Sequence, residues 1–142
     1  ALPFEPKTFD LIYASHVLEH CHRRCILSTI SHWFQLLKPN GVLRLAVPNF
    51  AACVGWYNQT GDLPSLIGLL YGGQNHPKNS HSITFDSSTL TSYLEKVGFV
   101  DVREWDWRTT EHAAYDDYSQ CYLPSMDKEN GMLMSLNLEA TK

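Results

Sequence analysis

Apolar and polar positions follow two alternating rhythms along the chain. Residues 9–14 (FDLIYA) carry a short apolar run, too brief for a helix and rich in β-formers, which predicts a buried strand. Between residues 21 and 38 the apolar positions Cys25, Ile26, Ile30, Trp33, Phe34 and Leu37 recur every three or four residues, the mark of one face of an amphipathic helix. Lys38, Pro39, Asn40 and Gly41 then supply a stop signal. Residues 42–47 (VLRLAV) predict a second strand, apolar except for Arg44 and closed by Pro48 and Asn49. Strand, helix and strand in this order make a βαβ unit, with parallel strands and a right-handed crossover.

Further along, residues 50–58 and 63–71 predict two short helical pieces split by Gly61 and Asp62. Residues 72–85 form a long polar loop with two glycines and two histidines, and loops of this length in compact domains are usually functional or disordered. Asp86 or Ser87 caps the next helix, whose apolar face is Leu90, Tyr93, Leu94 and Val97 and which Gly98 ends. Residues 100–107 (VDVREWDW) alternate as a strand near a sheet edge does. Residues 108–131 are a second polar insert dotted with aromatics, and residues 132–140 (MLMSLNLEA) alternate again as a closing strand. Neither repeats nor a linker divide the chain, so the pattern predicts one α/β domain.

Composition narrows the partners. With 142 residues, 44% hydrophobic and 18% charged, the chain is long enough for a single core. A net charge of −4 argues against a nucleic-acid backbone as partner, and Arg23 with Arg24 is too short a basic run to change that. No stretch has the length or apolarity of a membrane span, so a cytoplasmic protein with no membrane partner is expected. Cys21, Cys25, Cys53 and Cys121 have no disulfide-framework spacing and are expected as reduced thiols. The four tryptophans, Trp33, Trp56, Trp105 and Trp107, fall mostly at packing positions. A chain that opens on Ala1 and enters a strand within ten residues leads us to expect a processed or truncated start.

Candidate chemistry gathers just after the first strand. Ligands of open α/β sheets sit beyond the carboxyl ends of strands, which singles out Ser15, His16, Glu19 and His20. His16 and His20 are the candidate catalytic side chains. A histidine titrating near neutrality suits proton removal from a hydroxyl or amine, and the bland alternative is a histidine that orders the turn. Residues 16–20 also match the H-x-x-E-H zinc pattern, in which two histidines four apart on a helix share an ion and the glutamate acts as base. That pattern needs a helix, whereas here a strand directly precedes it, so no metal ligand set is assigned. Of the flanking residues, Cys25 is expected in the core and His22 in solvent.

Two loops offer substrate contacts. Gly72, Gly73 and Gln74 spell the tripeptide of peptide release factors, but an acidic protein is a poor ribosome ligand. The glycines instead give a flexible loop from which Gln74, His76 and His81 reach the strand ends, unless the loop is merely solvated. In the second insert, Asp116 and Asp117 form a carboxylate pair that suits a divalent metal or water, and water is favoured.

The segments FDLIYASHVLEH (9–20), LKPNGVLRLAVP (37–48) and GF (98–99), followed by the paired final strands, resemble the C-terminal half of a class I S-adenosylmethionine-dependent methyltransferase of the type 11 group. The resemblance implies half of a doubly wound, Rossmann-like sheet, with parallel strands plus an antiparallel closing strand. It implies S-adenosylmethionine as cofactor, Ala14, Ser15 and His16 as cofactor neighbours, and Asp117 and Tyr118 as acceptor contacts in the insert. The implied reaction is methyl transfer to a small-molecule or glycan-type acceptor. The family's glycine-rich loop and ribose-binding carboxylate have no counterpart in these residues. About three βα units, on the order of 90 residues, would carry them upstream. The expectations are therefore cofactor binding only when that half is supplied, no activity of this chain alone, and a homodimer through the bare edge at residues 9–14. Two other readings stand beside this one: a non-catalytic dimeric interaction module, and a zinc hydrolase built on His16, Glu19 and His20.

Overall fold

The computed structural model describes residues 2–142. Strand β1 (Phe9–Ser15) leads through two single 3-10 turns, Leu18–His20 and Arg23–Cys25, into helix α1 (Ile26–Leu36) and strand β2 (Leu37–Pro48). Helices α2 (Phe50–Thr60), α3 (Pro64–Tyr71) and α4 (Ser87–Val97) follow, then β3 (Val100–Glu104), the short pair β4 (Tyr122–Leu123) and β5 (Met132–Leu133), and β6 (Ser135–Thr141). The main sheet has the order β1-β2-β6-β3, with β1 parallel to β2 and β6 antiparallel to both its neighbours. The expected α/β architecture with an antiparallel closing strand is what forms.

One face of this sheet is apolar. Ala14, Leu43, Leu45, Leu136 and Leu138 pack under Ile26, Ile30 and Trp33 of α1 and Leu90 and Leu94 of α4. The helical period of these residues is what turns both helices toward the sheet. Phe34 and Phe99 meet edge to face at 4.9 Å where the helices close over it. Helix α4 is bounded as its sequence predicts: the Asp86 carboxylate accepts from the Thr89 amide at 2.7 Å, and Gly98 takes the left-handed conformation at φ 112°.

Four boundaries differ from expectation, the first being β3, which ends at Glu104 where the alternation runs on to Trp107. Helix α1 begins at Ile26, not near Cys21; residues 23–25 form a 3-10 turn and Cys25 is exposed, not in the core. The stop signal at residues 38–41 is absorbed into β2, where Asn40 at φ 64° forms an irregularity in the register with β1. Its amide donates to the Lys142 carbonyl and the Lys142 amide to that of Gly41, so the turn is tied to the chain's last strand. Residues 132–140 form two strands, broken where the Met134 amide donates to Cys121 at 2.7 Å.

The second face of the sheet is polar yet buried. Ser135, Asn137 and Glu139 alternate with the leucines of β6, and register places them beside Pro48, Ala46 and Arg44 of β2. Residues 105–131 fold across this face, and all three polar residues are less than a tenth exposed. Buried polar groups require partners. Ser135 donates to Asn137 at 2.8 Å, Asn137 donates to the Ser119 carbonyl at 3.0 Å, and Arg44 and Arg103 both donate to Glu139, at 2.9 and 2.7 Å. At the far edge, Asp101 at φ 51° interrupts β3 and leaves Val100 more than half exposed, while Trp105 turns inward.

Candidate active site at the end of β1

The last residue of β1 is Ser15, and His16 follows at φ 51°, a left-handed conformation uncommon outside glycine. The His16 amide donates to the Ala46 carbonyl at 2.8 Å, which fixes the point where the chain leaves the sheet. Two polar side chains are thereby displayed at a strand end. Ser15 Oγ is buried and has no hydrogen-bond partner among the described residues. His16 Nε2 lies 3.3 Å from the Ser135 hydroxyl, and Nδ1 lies 3.2 Å from a carboxylate oxygen of Glu19. Glu19 is fully buried, and neither of its oxygens receives an aligned hydrogen bond.

The second wall comes from the insert. Asp117 Oδ1 accepts from the Ser119 amide at 2.8 Å and caps the turn Tyr118–Gln120, which projects Tyr118 into solvent with its ring 5.5 Å from that of His16. Tyr13 donates to Asp117 Oδ2 at 2.6 Å and stacks on His112 at 4.2 Å. Burial and the bond to Asp117 push the Tyr13 hydroxyl above its ordinary pKa. Burial pushes Asp117 up, but the bonds from Ser119 and Tyr13 outweigh it and hold the carboxyl below its usual range. Asn49, Glu104, Trp105, Ser135 and Asn137 line a cleft of about 150 Å³ on the same side of the sheet.

The structure brings only part of the predicted set together. Ser15, His16 and Tyr118 converge, and Asp117 anchors Tyr118. Ala14 points to the opposite, helix-covered face and is buried in the core, so its side chain does not line this site. Gln74 and His76 are exposed and bond within their own loop, Gln74 to the Tyr71 carbonyl and His76 to the Lys78 amide. Of the three loop candidates only His81 arrives, with its ring 4.7 Å from that of His20. Burial lowers the His81 pKa, against the opposing pull of the Leu69 carbonyl and Glu19. Asp116 and Asp117 do not share a watery site: Asp116 is exposed beside Lys128, and Asp117 turns inward.

The H-x-x-E-H reading fails on geometry. His16 sits in a left-handed turn and His20 in a single 3-10 turn, so the two do not share a helix face. Sequence reasoning also passed over Tyr13, His112, Ser135 and Asn137. The one available signal was the lone charge of Arg44 in an apolar strand, which pointed to a polar sheet face.

Residues 2–104 match the family model of the methyltransferase domain. The chain belongs to this family. Its fold is that of S-adenosylmethionine-dependent methyltransferases. An Archaeoglobus fulgidus SAM-dependent methyltransferase is similar at a TM-score of 0.57 and 17% identity, over 98% of this chain and 62% of that one. A Thermotoga maritima SAM-dependent methyltransferase, described as a possible histamine N-methyltransferase, gives a TM-score of 0.60 and 13% identity, over 100% and 60%. Burkholderia thailandensis 1,6-didemethyltoxoflavin-N1-methyltransferase, solved with 1,6-didemethyltoxoflavin and S-adenosylhomocysteine bound, gives 0.55 and 18%, over 96% and 45%. No curated protein sequence matches the chain. This methyltransferase-family chain thus spans less than two thirds of the length of each of these structures.

Proposed function

We propose that the turn after β1 is one wall of a methyl-transfer site that uses S-adenosylmethionine and acts on a small-molecule or glycan-type acceptor. The observation that carries this reading is the orphaned, buried hydroxyl of Ser15 beside His16 at the strand end. An unsatisfied buried hydroxyl costs about 1 to 3 kcal/mol, so a ligand atom bonded to it recovers that cost. The donor set suits the polar amino-acid end of the cofactor. No glycine cradle accompanies it among the described residues, because the backbone at Gly72 and Gly73 closes on Asn79 of the same loop. The strand-end contacts fit the cofactor, and they make up one side of its site.

When bound, S-adenosylmethionine supplies an electrophilic methyl group. Ser15 and the His16 turn hold the cofactor's edge. His16 has Glu19 on Nδ1 and the Ser135 hydroxyl on Nε2. It is the side chain nearest the acceptor, and it takes the acceptor's proton on Nε2 once that nitrogen turns away from Ser135 in its lone-pair form. Tyr118 closes over it, and the Tyr13–Asp117 bond keeps that lid in register with the strand. Methyl transfer depends chiefly on such positioning. Without a glycine-rich loop, the chain alone binds weakly and turns over little.

Among the described residues the outer edge of β1 has no paired strand in the four-stranded order. A bare edge templates another strand, and we place a second copy of the chain there as a symmetric dimer. The free thiols suit the cytoplasm, and no helix among the described residues is long and apolar enough to cross a membrane. The same bare edge and the missing glycine cradle favour a second reading, a non-catalytic dimeric module. Calorimetric titration with S-adenosylhomocysteine separates the two. Weak, saturable binding that Ser15→Ala removes supports the methyl-transfer site; a folded dimer with no heat of binding supports the module.

A further inference from the structure

The buried carboxylate of Glu19 has a second set of neighbours. Glu19, His20 and His81 each offer one ligand atom, and these atoms lie within 4.8 Å of one another. His20 and His81 stand 61 positions apart in the chain, and the fold brings them together by pinning the loop: the Ser82 amide donates to the Glu19 carbonyl at 2.8 Å, and the His81 amide to that of Tyr71 at 3.1 Å. Both imidazoles face a backbone carbonyl with Nδ1, His81 at 2.9 Å from Leu69 and His20 at 3.3 Å from Ser80. A carbonyl only accepts, so Nδ1 carries the proton on each ring and Nε2 keeps its lone pair. Metal-ligating histidines are oriented by this same outer bond.

Glu19 supplies the observation that points to a ligand. It is fully buried, and both oxygens lack an aligned donor among the described residues. A buried carboxylate that served only packing would be surrounded by donors, because leaving it bare is costly. His16 stands 3.2 Å from one oxygen, which leaves the other without a partner.

We propose that Glu19, His20 and His81 bind a divalent first-row transition ion, with zinc the first choice. Two imidazoles and a carboxylate are a donor set such ions favour, and three protein ligands leave a position open for water. Bonds of about 2.1 Å at tetrahedral angles put ligand atoms about 3.4 Å apart, so side-chain rotation of roughly an ångström closes the set. His20 and His81 are partly exposed, which gives the ion an entry path and places the open position toward solvent. The ion clips the loop at residues 72–85 onto the turn after β1. This assignment does not depend on methyl transfer, and it differs from the sequence motif by taking His81 in place of His16.

The test is calorimetric titration of the chelator-stripped chain with zinc sulfate, followed by cobalt absorption spectra. We expect one equivalent bound, a higher Tm with zinc, and a loss of affinity exceeding about 100-fold in Glu19→Gln and in His81→Ala, since removal of even an outer partner costs 10- to 100-fold. His76→Ala, in the same loop, keeps full binding. Should a variant fail to fold, histidine side-chain NMR of the wild-type chain decides: zinc shifts the Nε2 resonances of His20 and His81 and leaves those of His22 and His32 in place. Absence of stoichiometric binding, binding that survives both substitutions, or shifts at His22, His32 or His76 in place of His20 and His81 overturns the site; His16, 3.2 Å from Glu19, shifts with the ligands.

Discussion

The Tyr13 hydroxyl donates to Asp117 Oδ2 at 2.6 Å, and this bond joins the edge strand to an insert 104 residues away. Tyr13 lies on the polar face of the sheet, in register with Arg44, and Asp117 caps the turn that presents Tyr118. Tyr13→Phe removes the donor while keeping the ring stacked on His112. Hydrogen bonds to charged groups contribute about 1.5 to 3 kcal/mol, and this one is only partly buried, so a loss of about 1 to 2 kcal/mol is expected in urea denaturation. A smaller effect in the presence of Asp117→Asn identifies the lost partner as Asp117.

The same pair sets a pH dependence at each end. Asp117 in the folded chain lies below its ordinary value of 3.8, so its contribution is present above that value and is lost as pH falls through the lower folded one. Tyr13 lies above its ordinary 10.0, so its contribution is present below pH 10.0 and is lost as pH rises through the folded value. Thermal melts of Asp117→Asn are therefore expected to fall less steeply than those of the parent below pH 4, and Tyr13→Phe melts less steeply above pH 10.

Arg44 and Glu139 test the buried polar face. Their side chains are 15% and 11% exposed, and Glu139 also accepts from Arg103. Glu139→Ala removes the closest acceptor of the nearly buried Arg44, which keeps only the longer bond to exposed Glu111, while half-exposed Arg103 turns to water. The cost is about 2 to 3 kcal/mol, at or below the scale for breaking one side of a buried pair. Arg44→Met with Glu139→Leu is expected to recover most of that loss in the same denaturation assay, because the pair's own net worth against apolar packing is small.

Cysteine chemistry follows burial. Desolvation, with a smaller push from Cys121, raises the Cys53 thiol to about 11, so it is nearly all protonated at neutral pH. Cys25 is exposed. Thiol labelling under native conditions is expected to modify Cys25 first and Cys53 only on unfolding, read by mass spectrometry of peptides.

Much of the fold was legible because local signals agreed with tertiary demand. Asp86, the Leu90 and Leu94 stripe and Gly98 specify α4 without outside help, and the run at residues 9–14 lies within β1. The polar half of β6 was not legible. The alternation of Ser135, Asn137 and Glu139 shows only that one side of the strand is polar, and the fold of residues 105–131 over them makes that side interior. The position of Ser15 and His16 at the end of β1 was legible because it follows from chain direction alone. The approach of His81 to Glu19 rests on long-range backbone bonds that no local pattern encodes. Ala14, one residue before Ser15, turns its side chain to the helix-covered face, because neighbours in a strand point to opposite faces.

The central claim, that Ser15 and His16 contact the cofactor, is tested most directly by amide NMR of the chain titrated with S-adenosylhomocysteine, which detects weak binding. Shifts concentrated at Ser15, His16 and Tyr118, and abolished in Ser15→Ala, are the predicted result. A folded chain with no shifts at saturating ligand, or with shifts confined to the cleft around Ser28, His32 and Trp33, would contradict it.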